Sequence, residues 1–206
     1  MCGYCGVSGV GFTDDHVIPK GLYAPSYRGL WRPIIVDACY SCNNGMSEDE
    51  THFRNMISLA GPANEPVMSL WNGKIGRSFE QTDGGKQIRN IFENLVPVST
   101  ESGPRHAVYP DQDLRVMRVI RKIVRGLHFH KFRTPIPDNC VSAKVLIYRV
   151  PEELEIAMEY DERILEIFRS WNFNVDCDPN FKAHVWILEF FQRCKFIAWV
   201  DPVDLS

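Results

Sequence analysis

Two cysteine pairs, each with two residues between its members, stand near the start of the chain: Cys2 with Cys5, and Cys39 with Cys42. A CxxC unit can turn both sulfurs toward one ion from a single tight knuckle, and two units complete a tetrahedral shell of thiolates around Zn²⁺. Gly3, Gly6, Ser41 and Gly45 allow the turns this requires. Two disulfides or four separate buried thiols would satisfy the same composition, but paired CxxC units are a specific metal signature. A four-thiolate site has no open position for substrate, so the expected role of this ion is structural. The segment between the knuckles is longer than the usual ribbon spacing of about 15–20 residues and must fold back on itself. It carries Asp15-His16-Val17-Ile18-Pro19, and Asn43-Asn44-Gly45 follows the last cysteine, with His52 farther on. Carboxylate and imidazole groups hold divalent ions, and a neutral imidazole can take a proton from water near neutral pH.

Cys2, Cys5, Asp15-His16, Ile18-Pro19, Cys39, Cys42-Asn43 and His52 together resemble the zinc-knuckle form of the HNH endonuclease family. The resemblance covers residues 1 to about 60, under a third of the chain. It implies a ββα-metal unit, in which a hairpin and a helix close around one divalent ion. It implies His16 as general base, Asp15 and His52 as ligands of a Mg²⁺-like catalytic ion, and Asn43 as the residue that orients the His16 imidazole. Asn44 competes with Asn43 for that role. Asp14 is an alternative ligand, and Glu48, Asp49 or Glu50 could add a carboxylate. The implied reaction is hydrolysis of a DNA phosphodiester, double-stranded DNA being the expected partner, with 5′-phosphate and 3′-hydroxyl products. The alternative is a noncatalytic zinc-dependent nucleic-acid-binding or interaction module.

Local patterns supply elements for such a unit. Phe12–Ile18 and Pro33–Val36 have strand character. Ser47 with Glu50 three residues later is a capping-box pattern, which predicts a helix from near Glu48 to Gly61-Pro62. Phe53, Met56, Ile57 and Ala60 form its apolar face, and His52 falls in its first turns. Adjacent residues on a strand point to opposite faces, so Asp15 and His16 share a centre only if the strand twists or bulges.

The remainder predicts an α+β fold in which residues 1–61 form the zinc-knuckle module. Residues 62–110 read as a connector with short elements, including a helix over Lys86–Asn94. Residues 111–206 read as an α+β domain. Its best helix runs from Asp111 to about Phe129, with Leu114, Met117, Ile120, Val124 and Leu127 as the buried stripe. Arg115, Arg118, Lys122 and Arg125 recur on another face. With Lys20, Arg28 and Arg32 between the two strands, they are the candidate DNA-backbone contacts. Val141–Val150 reads as a strand, Pro151-Glu152-Glu153 as a helix start or turn, and Asp161–Trp171 as a helix. His184–Glu189 and Cys194–Val200 read as a hairpin.

Net charge is −3, so the chain as a whole is no basic coat for nucleic acid, and local patches matter more. No run of about 18 apolar residues offers a membrane span, and no secretory signal pattern is evident. Seven cysteines, four of them reserved for metal, suit a reducing cytoplasm.

Overall fold

A computed structural model describes residues 1–9, 11–27, 29–60, 63–93, 95–100, 103–108, 113–146, 161–178 and 181–200. Strands β1 (Thr13–His16) and β2 (Ile35–Ala38) pair antiparallel, Asp15 opposite Val36 and His16 opposite Ile35. The short helix α1 (Tyr40–Asn44) carries the second knuckle, and α2 (Ser47–Leu59) follows it. The two strands and α2 thus follow the expected hairpin-then-helix order. The capping box does not form. Met46 holds the N-cap position without a side-chain bond, and Glu50 turns instead to Lys122.

The connector is richer than expected. It contains α3 (Glu65–Leu70), a π-helical turn (Trp71–Ile75), α4 (Gly76–Glu80), α5 (Gly84–Glu93) and a hairpin of β3 (Leu95–Thr100) with β4 (Gly103–Val108). Asn64 caps α3 by accepting from the Val67 N–H, which fixes where the chain turns after α2.

Helix α6 (Leu114–Phe132) is the wall shared by the two halves of the molecule. Val116, Ile120, Ile123, Val124 and Leu127 are buried. Leu114, expected in the stripe, is exposed, because it sits at the first turn beyond the packed region. Asp113 caps the helix through its Oδ1, which accepts from the Arg115 and Val116 N–H groups. At Gly126 the helix touches the knuckle and hairpin so closely that a Cβ would stand 2.8 Å from the Val17 methyls and 3.3 Å from the Tyr4 ring. Any larger residue there must push the helix off Val17 and Tyr4.

Beyond α6 lies a five-stranded antiparallel sheet of order β5-β9-β8-β7-β6. Its strands are β5 (Val141–Val145), β6 (Glu162–Ile164), β7 (Phe168–Asp178), β8 (Phe181–Phe190) and β9 (Cys194–Val200). The expected β8–β9 hairpin is present, its turn made by Phe191 and Gln192 at φ 54° and 58°, as the tight turns between twisted strands require. The expected helix over Asp161–Trp171 is absent. Ile164, Ile167, Phe168 and Trp171 mimic a helical stripe, but Leu165 takes φ 47° and the chain reverses between β6 and β7. The strand from Val141 is described only as far as Val145, and the expected turn at Pro151-Glu152-Glu153 lies outside the described residues.

One hydrophobic cluster runs through the hairpin, α2, α6 and the sheet. Phe53 of α2, fully buried, meets Phe190 edge-on at 5.2 Å and ties α2 to the sheet. Truncating such a ring to alanine costs about 3–5 kcal/mol. Among the described residues no helix is long and apolar enough to cross a membrane.

Candidate metal centre and hairpin site

The two knuckles meet. Ligand atoms of Cys2, Cys5, Cys39 and Cys42 all lie within 4.8 Å of one another, and the Cys5 and Cys39 sulfurs are 3.8 Å apart. Four sulfurs about 2.3 Å from a central Zn²⁺ stand about 3.8 Å from each other, so the spacing fits a tetrahedral ion. Backbone bonds brace the arrangement: Gly3 N–H donates to Asp37 O of β2 at 2.7 Å, and Asn43 N–H to Cys39 O at 3.0 Å. The Ser41 hydroxyl, 3.3 Å from the Cys39 sulfur, and then the Cys42 N–H pull the Cys39 thiol down to about 6. Burial pushes the Cys42 thiol up, with the neighbouring cysteines adding to it. A cation among them would relieve that repulsion. The four cysteines could hold a metal ion such as zinc. They are the one cluster of three or more His, Cys, Asp or Glu ligands found close enough for an ion among the described residues.

Strand alternation separates Asp15 from His16. Asp15 points inward and is 7 % exposed, while His16 is half-buried at the strand end. The Lys122 ammonium lies 2.8 Å from Asp15 Oδ2 and 2.8 Å from Glu50 Oε1, beside the Tyr4 ring at 5.5 Å. The contact with Asp15 is a close ion pair without a well-aligned hydrogen bond, since Asp15 Oδ2 has no bond of good geometry. Burial works against the Lys122 charge, but Glu50 and Asp15 more than offset it and raise its pKa. For Glu50, burial outweighs the attraction of Lys122 and pushes the carboxyl up. His16 is shifted the opposite way from a salt-bridged histidine. Burial and then the Lys20 charge lower its pKa, so its imidazole is neutral at neutral pH.

The other expected site residues are drawn elsewhere. The Asn43 amide donates to Thr13 Oγ1 at 2.8 Å, bracing the start of β1 rather than the His16 ring. Asn44 is exposed, as is Asp14, which pairs across the hairpin with Asp37. His52 Nε2 bonds to Asp113 Oδ2, and both residues are buried. Burial pushes the Asp113 carboxyl up, but the His52 bond and charge outweigh it and hold it down at about 2. Asp113 is the residue the sequence reading missed. Its type just ahead of a helix marks an N-cap, and that was the available signal.

These pairings occupy the expected ligands. Asp15 is bound to Lys122 and His52 to Asp113. To hold an ion, Asp15 and His52 would each have to exchange that partner for it.

The basic face of α6 is largely consumed as well. Arg118 Nη1 is 2.7 Å from Asp49 Oδ2, and Arg115 Nε is 3.6 Å from Asp113. Arg125 donates to the carbonyls of Tyr4 at 2.6 Å and Ile136 at 2.7 Å, and reaches Asp138 at 3.4 Å. Lys122, 5 % exposed, cannot touch a phosphate without leaving its two carboxylates. Lys20 and Arg32 are exposed on the segment between the strands, and Arg28 lies outside the described residues.

Comparison with protein-family models, with curated proteins and with solved structures returned no match. The resemblance to HNH enzymes therefore rests on the residues alone.

Proposed function

We propose that this protein is a zinc-stabilised endonuclease of the HNH kind, acting on DNA phosphodiesters with His16 as general base. The observation that carries this reading is the placement of His16. It is a half-buried imidazole, held neutral, at the end of a strand whose first residue is braced by Asn43, next to Cys42 of the four-cysteine cluster. In this reading Cys2, Cys5, Cys39 and Cys42 hold structural Zn²⁺, which supplies a rigid base for the hairpin. His16 accepts the proton of the attacking water. Asn43 acts through Thr13, fixing the strand on which His16 sits. Lys20 supplies positive charge near the imidazole. A Mg²⁺-like ion would polarise the phosphate and help the leaving oxygen. Asp15 and His52 would hold that ion on leaving Lys122 and Asp113.

A second reading has its own support. Lys122 neutralises Asp15 and Glu50 without any ion, which suits a noncatalytic zinc module that binds nucleic acid. Incubating supercoiled plasmid with purified protein, with Mg²⁺ or Mn²⁺ and with chelator, separates the two. The nuclease reading expects nicking that requires added metal and is lost in His16→Ala. Plasmid binding without nicking in any of these ions would favour the binding module.

A further inference from the structure

A second basic region lies away from α6, and in it Arg54 and Arg77 form no ion pair among the described residues. A crevice of about 340 Å³ opens between α2, the π-helical turn and α4. Arg54, Lys74 and Arg77 line it, with Ser78, Gln81 and Gln87, and no carboxylate is among its lining residues. Arg54 is 7 % exposed, as deeply buried as Asp15. Its guanidinium is held only by neutral oxygens: Nε and Nη2 donate to Asn55 Oδ1 at 3.0 and 2.9 Å, and Nη2 to Ser78 Oγ at 3.4 Å. Among the described residues Arg54 forms no ion pair, and its Nη1 has no acceptor. Burial lowers its pKa and no neighbouring negative charge opposes the shift. Desolvating a cation without a counterion is unfavourable, and folds keep such a group where an anion completes it.

The surroundings fit that anion. Asn55 fixes the fork by accepting two of its N–H groups, so the remaining edge is oriented rather than free to swing. Arg77 is exposed at the rim and makes no hydrogen bond or ion pair among the described residues. Lys74 donates to the carbonyls of Lys20 at 2.7 Å and Gly21 at 3.4 Å. The π-helical turn Trp71–Ile75 brings Lys74 to this position, and such turns recur at functional sites. Gly21 packs against the Arg54 stem, where a Cβ would be 3.7 Å from Arg54 Cδ. The crevice thus abuts the loop that follows His16.

We infer that Arg54, Lys74 and Arg77 form a binding site for a phosphate group, next to the loop that follows His16. A planar guanidinium fork and flanking cations are the chemistry that recognises phosphate oxygens. The same chemistry serves a backbone phosphate of nucleic acid or a free phosphate.

The test measures binding without turnover, so its failure leaves the hydrolysis reading standing, and failed cleavage leaves this site standing. Full-length protein is titrated with a short duplex, a short single strand and inorganic phosphate, as wild type, Arg77→Ala and Arg54→Gln. The site predicts at least about tenfold weaker binding of a phosphate-bearing probe in both variants. Loss for the oligonucleotides identifies backbone phosphate, and loss for inorganic phosphate alone identifies a small ligand. Arg77 is exposed and without partners among the described residues, so Arg77→Ala decides the matter if Arg54→Gln does not fold. Unchanged affinity for all three probes in Arg77→Ala would overturn the inference.

Discussion

Two clusters of cations flank α2, and they differ in what faces them. On the α6 side, Arg115, Arg118 and Lys122 meet Asp113, Asp49, Asp15 and Glu50, and Arg125 meets carbonyls and Asp138. On the other side, Arg54, Lys74 and Arg77 line a crevice without a carboxylate. The cations counted on a helix face therefore say little about which of them a ligand can use. The α6 seam holds the four-cysteine segment to the sheet. The Arg54 crevice is the region with charge to offer.

The largest effect should come from removing what both regions depend on. Cys39→Ser breaks the cluster that positions Tyr4, Asp15 and the His16 strand. Metal content measured by elemental analysis should fall and the hairpin should unfold, since metal binding in such small sites is itself folding energy. A variant that keeps its metal and its melting temperature would dismiss the cluster as a metal site.

Next comes the seam itself. Lys122→Met leaves Asp15 and Glu50 without their shared cation, and removing one partner of a buried ion pair costs about 3–5 kcal/mol. Urea denaturation should register that loss. Arg77→Ala should stay within about 0.5 kcal/mol of wild type, as exposed substitutions usually do. Equal destabilisation by the two would erase the contrast between the regions.

Acid should weaken the far end of α6. His128 is buried against His184, ring centroids 5.8 Å apart, and burial with the His184 charge lowers its pKa to about 4. The folded state thus favours the neutral form. Below the unfolded value of about 6.5, protonation favours unfolding, and stability falls as pH drops from there to about 4, by about 2–3 kcal/mol. Asp113, whose folded pKa is depressed to about 2, gives up its own contribution over a lower range, from about 4 downward. His128→Gln should flatten the melting-temperature profile between about pH 4 and 6.5 and leave the steeper fall below it.

The smallest effect sharpens the comparison most finely. A cation that neutralises one backbone phosphate contributes about 0.9 to the log–log salt slope of duplex binding. Arg77→Ala should lower the slope by that amount and Arg118→Ala should leave it unchanged.

Much of this was legible in the chain. The cysteine spacing specified one cluster, and the long stripe from Val116 to Leu127 specified α6. Alternation along β1 allowed Asp15 and His16 to share a centre only through a twist or bulge, and the strand alternates without bringing them together. What the chain could not reveal was the destination of Asp15, because Lys122 reaches it only after α6 packs on the hairpin through Gly126. Asp161–Trp171 misled because apolar residues at helical spacing also serve a strand, a turn and a second strand. Arg54 escaped notice because it sits beside Phe53 in an inward-facing stretch of α2, where the apolar neighbours drew the reading. A cation in that stretch was itself the signal.

The central claim is that His16 performs the chemistry. Its most direct test is the single-turnover cleavage rate of a duplex at saturating protein, wild type against His16→Ala, with metal content and melting temperature matched. Loss of a general base predicts a fall of about 10²–10⁴ in that rate with duplex affinity retained. Equal rates in the two proteins would contradict the account.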